Sequence, residues 1–479
     1  MLEGWIVLDR AGRVPLAEQI YRQVRGMVRE GRVADGTPLP SSRMLADRLA
    51  VSRNTVTAAY DLLRAEGILE GRSGAVPVLV LPEAVGAGSP VLDLAEGVRL
   101  SRVGALLAED RHAVAYGDRG GRLRPGQPDA ALFPRDEWAR CLRRAARGLS
   151  GDVLLYGHME GVPRLRRILA RVLGETRGLS VTEEQILVVP TVQSALGMLA
   201  RCLVEAGDEV WIEEPGYLGA RRAFAEARLV PMPVDEEGAD VSGMEGRPRV
   251  MYVTPSHQYP LGVRMGLARR VALLERARAV GAVVIEDDYD SEFLWSGRPV
   301  PALGALAVRG EVVTLGTVAK SMLPGLRLAW MVAPPALAQV LRYAQVNLGL
   351  MVNVHVQEAF ASFIDSGQYR RHLERISGVY RERGRVLCEA VRRWCGNLVS
   401  VPVPTGGLQV AVRFGEEVDD VAVVRALAGA GFSVPALSRL CLAQLGSGEA
   451  ARGVVVSFAE VGQEEADRFG RVLAAALRG

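Results

Sequence analysis

The chain has 479 residues, too many for one compact core, and its 49% hydrophobic and 24% charged content is that of a globular protein of two or three domains. A net charge of +3 is too small to announce a nucleic-acid partner by itself, and no run is long and uncharged enough to span a bilayer. Five cysteines without clustered spacing and five scattered histidines exclude a disulfide frame and a metal centre of ordinary ligand spacing; with no apolar signal core in "MLEGWIVLDRAGR", the expected setting is the cytoplasm.

In chain order, "PLAEQIYRQVRGMVREGRV" places Leu16, Ile20, Val24, Met27 and Val28 at helical spacing, ending at Gly31. "LPSSRMLADRLAVSRNTVTAAYDLLRAEGIL" predicts two helices and a very short turn, a helix-turn-helix. Ser41 or Ser42 caps the first, with Leu45 and Leu49 inward; Ser52 caps the second, whose apolar stripe is Val56, Ala59, Tyr60 and Leu63. "ILEGRSGAVPVLV" follows as strand, turn and strand, a small wing that closes a domain at residues 1–80. The second helix of such a motif enters the major groove by its first residues, here Arg53, Asn54, Thr55 and Thr57. Arg43, at the start of the preceding helix, and Arg72, at the wing tip, suit phosphate contacts.

Residues 81–122 mix proline, glycine and charge without periodicity and are predicted to be a linker with one short helix around 101–109. From 123 to 479, near-continuous apolar strands alternate with amphipathic helices: "QILVVP", "DEVWIEE", "RPRVMYVTP", "GAVVIEDDYD", "EVVTLGT" and "LRLAWMVAP". That pattern means a mostly parallel sheet covered on both faces. Past residue 335 the pattern turns helical, then gives "LQVAVRF" and "GVVVSFA", as expected of a smaller α+β lobe. Cys388 and Cys395 lie two turns apart on one predicted helix and are read as ordinary, partly buried thiols.

Lys320, in "GTVAKSMLPGLR", is the only lysine of the chain; every other basic side chain is arginine. An amine condenses with an aldehyde, whereas a guanidinium does so poorly and stays charged. Around it stand the groups that a phosphorylated aldehyde cofactor requires. Thr317 and Arg327 can grip a phosphate, and "VVPTVQSAL" leads from a strand into a helix whose first amides, at Val192 and Gln193, form an anion site. "VVIEDDYD" brings Asp287 and Tyr289 to the carboxyl end of a buried strand, where open α/β sheets bind ligands. An aspartate there can pair with a pyridinium nitrogen, Tyr289 can bond the ring oxygen, and Tyr217 in "EEPGYLGAR" offers a stacking face.

The first segment resembles the winged helix-turn-helix of the GntR family, and residues 123–479 resemble the class I aminotransferase fold, whose cofactor is pyridoxal 5′-phosphate. With "TPSHQYP" at 254–260 and "EDDYDSEF" at 286–293, the whole chain is similar to the MocR/GabR regulators. The resemblance implies operator DNA as a partner and a small amine, amino acid or the cofactor itself as effector. It implies Lys320 as the imine-forming residue, with Asp287 at the ring nitrogen, Tyr289 and the His257–Gln258 region at the ring oxygen, and Thr317 and Arg327 at the phosphate. Tyr156, in "LLYGHMEGVPRLR", would reach the other subunit's phosphate in a head-to-tail homodimer. Where aminotransferases of this class commonly carry a carboxylate-binding arginine, "RGVVVSFA" has Val455, so poor use of α-amino acids is expected, together with a gain on Val455→Arg. A working aminotransferase with a DNA-binding appendage is the rival expectation.

Overall fold

The computed structural model describes residues 6, 8–10, 14–29, 33, 36–65, 68–70, 76–79, 100–108, 121–297, 300–442 and 451–478. The chain divides into two compact units, Met1–Arg99 and Leu100–Gly479, and the division falls inside the expected linker.

In the first unit, α1 (Leu16–Arg29) buries Ile20, Val24 and Met27 on one face. Ser41, not Ser42, caps α2 (Ser42–Leu49), its Oγ accepting the Met44 amide at 3.3 Å. Ala50 ends that helix in the left-handed region at φ 48°, turning the chain within three residues into α3 (Arg53–Ala65), where Ser52 Oγ accepts the Thr55 amide at 3.1 Å. Val56, Ala59, Tyr60 and Leu63 are each at most 1% exposed, and the Tyr60 hydroxyl donates to the Pro40 carbonyl at 2.8 Å, seating α3 against the approach to α2. The wing is the antiparallel pair β1 (Leu69–Glu70) and β2 (Val78–Leu79). Its tip, with Arg72, lies outside the described residues.

The second unit begins with a short helix, α4 (Arg102–Ala108), close to the predicted 101–109. Its main sheet uses β3 (Ile186–Val189), β4 (Glu209–Glu214), β5 (Arg228–Asp235), β6 (Gly238–Ala239), β7 (Val250–Val253), β8 (Val283–Asp288), β9 (Val312–Thr317) and β10 (Ala329–Val332), in the order β3-β10-β9-β8-β7-β4-β5-β6. β10 and β6 run antiparallel to their neighbours, and the pairs among β9, β8, β7, β4 and β5 are parallel. Every residue of β3, β7, β9 and β10 is buried, because helices cover both faces; their uninterrupted apolar runs have this cause. β5 escapes the sequence pattern because Pro231 and Pro233 interrupt it. It is tolerated beside an almost open edge, since β6 pairs only with Val234 and Asp235.

The smaller lobe packs β11 (Gln409–Arg413) and β12 (Gly453–Ser457), an antiparallel pair, against the long helix Gln368–Cys395 and the helix Gln463–Arg478. Cys388 and Cys395 sit on that long helix, buried, and all five cysteines are free. Burial pushes the Cys388 thiol up to about 12 and Cys395 up to about 11, so both are inert as expected. Among the described residues no helix is long and apolar enough to cross a membrane, and no cluster could hold a metal ion.

Candidate functional site

Parallel pairing aligns the carboxyl ends of β4, β7, β8 and β9 along one sheet edge, and the chain leaving each one supplies a wall of a cavity of about 660 Å³. Lys320 lies just past β9 and donates from Nζ to the Gly126 carbonyl. Gly126 has φ +82°, and a side chain there would stand 3.1 Å from the amine, so glycine is what allows the close approach. Burial lowers the Lys320 pKa, opposed by the charges of Asp290 and Asp287. The only lysine thus stands in a cavity with its amine biased toward the neutral, nucleophilic form.

Facing it from the end of β8 is Asp287, 5% exposed. Its Oδ2 accepts the Tyr252 hydroxyl at 2.7 Å, while Oδ1 is buried with no partner. Burial raises its carboxyl to about 7, against the Tyr252 hydrogen bond and with a contribution from Asp288. The native state therefore retains a proton that the unfolded chain releases between about pH 4 and 7, so this group's share of stability falls as pH rises through that window. Urea unfolding of cofactor-free protein at about pH 5 and about pH 7 should show wild type losing more stability than Asp287→Asn. Equal losses would contradict this placement of the proton.

Tyr289 lines the cavity, its hydroxyl 3.3 Å from His257 Nδ1; that nitrogen is also 2.8 Å from Asp290 Oδ2. The Asp290 carboxylate accepts the Nδ1 proton, so that nitrogen keeps no lone pair for the neighbouring Tyr289 hydroxyl, whose own proton is not spent on His257. His257 thus stands one step behind the cavity wall. Gln258 departs further from expectation. Its Nε2 donates to the carbonyls of Pro215 and Tyr259, and its Oε1 accepts the Leu261 amide, so it organises a buried loop and lines no part of the cavity. Tyr217 does line it, edge-on to Tyr259 with centroids 5.9 Å apart.

The opposite end suits an anion. Thr191 Oγ1 caps the helix Val192–Leu203 by accepting the Ser194 amide, which leaves the amides of Val192 and Gln193 at the open helix terminus. Thr317 and Arg327 share that wall, Arg327 held in the left-handed region at φ 51° after the turn Pro324–Leu326. An amine of lowered pKa, an orphaned carboxylate oxygen in the same cavity and an anion pocket beside them suit a phosphorylated pyridine aldehyde.

Sequence reasoning missed Tyr252, Tyr259 and Gly126. Tyr252 had a signal, a lone hydroxyl within the apolar run "VMYV"; Gly126 had none, because only the fold brings it to Lys320. Val455 is corrected in its surroundings. It is fully buried against Leu261, Ala411, Leu437 and Leu440, and Leu440, not Val455, meets the cavity. Tyr156 is 77% exposed, beside the exposed Leu154 and Leu155, and outside this chain's own cavity wall.

In the first unit Arg43, Arg53 and Asn54 are exposed, and Thr55 and Thr57 half-buried. Arg53 Nε donates to Ser42 Oγ at 3.4 Å, which keeps its guanidinium near the start of α2. The Thr55 hydroxyl bonds Ser52 at 2.8 Å and that of Thr57 bonds the Arg53 carbonyl at 2.9 Å, so both are partly committed to the helix. Arg53→Ala should cost about 1–3 kcal/mol of operator binding and relax base preference, while Arg43→Ala should weaken binding evenly across sequences. Titrations against the operator and scrambled DNA separate the two; no loss in either variant would remove α3 from the groove.

Fold and site together define a class: an aminotransferase-type domain following a helix-turn-helix of regulatory type. Residues 126–454 match aminotransferase class I and II, and residues 16–76 match the bacterial regulatory proteins of the gntR family. The probable rhizopine catabolism regulatory protein MocR of Rhizobium meliloti is 39% identical, over 91% of this chain and 89% of its own. The pyridoxine biosynthesis transcriptional regulator PdxR of Corynebacterium glutamicum is 32% identical over 98% of this chain and 97% of its own. Among solved structures, the α-aminoadipate aminotransferase of Thermus thermophilus, complexed with N-(5′-phosphopyridoxyl)-L-leucine, superposes with a TM-score of 0.68 at 28% identity, covering 79% of this chain and 98% of that one. The chain belongs to the MocR-type regulators of the GntR family, DNA-binding transcriptional regulators with an aminotransferase-like domain.

Proposed function

We propose that this regulator holds pyridoxal 5′-phosphate at Lys320 and senses an amine, an amino acid or the cofactor itself, acting in the cytoplasm as a head-to-tail homodimer on operator DNA. The observation that carries this is the chain's only lysine, half-buried in a cavity that it shares with Asp287, whose Oδ1 is unpartnered. When bound, the cofactor supplies an aldehyde that exchanges reversibly between amines and a ring that can take up electron density. Lys320 offers the protein's amine. Asp287 Oδ1 would accept a hydrogen bond from the ring nitrogen, and the Tyr289 hydroxyl, beside His257, would donate to the ring oxygen. The Val192 and Gln193 amides with Thr317 and Arg327 would hold the phosphate, and Tyr217 would offer its face to the ring. Tyr156, exposed with Leu154 and Leu155 on an apolar edge, supports a partner-facing role. The near-full-length similarity to a pyridoxine biosynthesis regulator supports the cofactor itself as one effector.

Val455, packed among Leu261, Ala411, Leu437 and Leu440, does not itself supply a guanidinium to clamp an α-carboxylate, which favours sensing over steady transamination. Protein loaded with the cofactor and given an amino donor with a 2-oxo acid should turn over far below the roughly 1 s⁻¹ at which ordinary enzymes begin. Turnover at that rate would make the chain an aminotransferase with a DNA-binding appendage.

A further inference from the structure

We propose that a second cavity of the aminotransferase-like unit, distinct from the one around Lys320, binds an organic ammonium cation. It measures about 670 Å³ and lies between the helix Pro163–Arg177, the chain leaving β8 and the turn Thr405–Gly407. It requires no imine chemistry and so goes beyond the function proposed above.

Three carboxyl groups follow one another at alternate positions along this wall: Asp288, Asp290 and Glu292. The first is neutralised, its Oδ2 lying 2.8 Å from Arg177 Nε. The other two have no arginine at ion-pair distance among the described residues. Asp290 is 2% exposed; its Oδ2 holds His257, and its Oδ1 has no partner. Glu292 accepts the Tyr369 hydroxyl at 3.4 Å and feels the Arg177 charge, with no guanidinium at ion-pair distance among the described residues. Burial, with the charges of Asp288 and Asp290 beside it, raises its carboxyl to about 8, against the charge of Arg177.

Of the wall's other cations, Arg171 pairs with Asp365 and Arg370 with Glu374. Arg270 donates to the carbonyls of Met265, Pro301 and Pro255, and Arg264 donates to the Ser296 carbonyl. An ammonium group there would give the unpartnered Oδ1 of Asp290, and Glu292 beside it, a charged hydrogen-bond donor. Its organic body would lie along Phe293, Trp295 and Leu373, which line the same space. Such a ligand would also be felt in the first cavity, because Asp290 holds His257 and His257 faces the Tyr289 hydroxyl.

The test is calorimetric titration of the cofactor-free, full-length protein with N,N-dimethylbenzylamine, a tertiary amine that carries a cation but cannot condense with an aldehyde. Binding should persist in Lys320→Ala and weaken about tenfold or more in Glu292→Gln, as loss of a charge-assisted contact requires. The neutral N,N-dimethylbenzamide, measured on the wild-type protein and so independent of any variant's folding, should bind at least about tenfold more weakly than the amine. The proposal is overturned by an absence of binding to wild type, by loss in Lys320→Ala, by unchanged affinity in Glu292→Gln, or by equal binding of the neutral amide. None of those results bears on capture of pyridoxal phosphate at Lys320, which is read separately by reduction and peptide mapping.

Discussion

Lys320→Ala protein should take up no covalent pyridoxal phosphate. After incubation with the cofactor and borohydride reduction, wild type should carry one phosphopyridoxyl group on the tryptic peptide running from Gly310 to Arg327, and the variant none. The expected effect is complete rather than partial because no second lysine exists to substitute, and arginine does not form a stable imine. Only the chain's terminal amine could compete, and it is blocked beforehand. Noncovalent affinity should survive in part, since Val192, Gln193, Thr317 and Arg327 still face the anion end of the cavity. A reduced adduct elsewhere in the variant, at wild-type yield, would remove Lys320 from its proposed role.

The second large effect concerns Val455→Arg. The sequence alone predicts a gained carboxylate clamp; the structure predicts an unfolding hazard. Val455 is 0% exposed, wedged between Leu261, Ala411, Leu437 and Leu440, with its amide donating to the Pro435 carbonyl. An arginine there overfills the site and buries a guanidinium with no acceptor among those side chains, a change expected to cost about 3–5 kcal/mol. Urea unfolding should show a lower midpoint with an unchanged slope. The response to α-amino acids should not improve. A variant as stable as wild type that also gains α-amino-acid binding would restore the sequence expectation.

That reversal marks the limit of what the sequence carries. The strands that run apolar from end to end, a helix cap at Ser41 or Ser42 and another at Ser52, and the grouping of Asp287, Tyr289, Thr317 and Lys320 at strand ends were legible, because periodicity and topology fix them locally. β5 was not, because its two prolines mask a strand that survives only beside an open edge. Gln258 was misplaced because side-chain direction in a loop depends on which carbonyls the fold brings near, here those of Pro215 and Tyr259. Gly126 as the partner of Lys320, and the leucines that wall off Val455, are contacts across long sequence separations that no local pattern encodes. The unpartnered oxygen of Asp287 is equally invisible in sequence, yet it is what makes the cavity chemically specific.

The most direct measurement is operator binding by cofactor-loaded protein, titrated with and without a primary amine, in wild type and in Lys320→Ala. If the aminotransferase-like unit senses through Lys320, the amine shifts wild-type affinity for the operator, and the variant binds DNA without responding. The same shift in the variant, or none in wild type across a panel of amines, amino acids and free pyridoxal phosphate, would contradict sensing at Lys320.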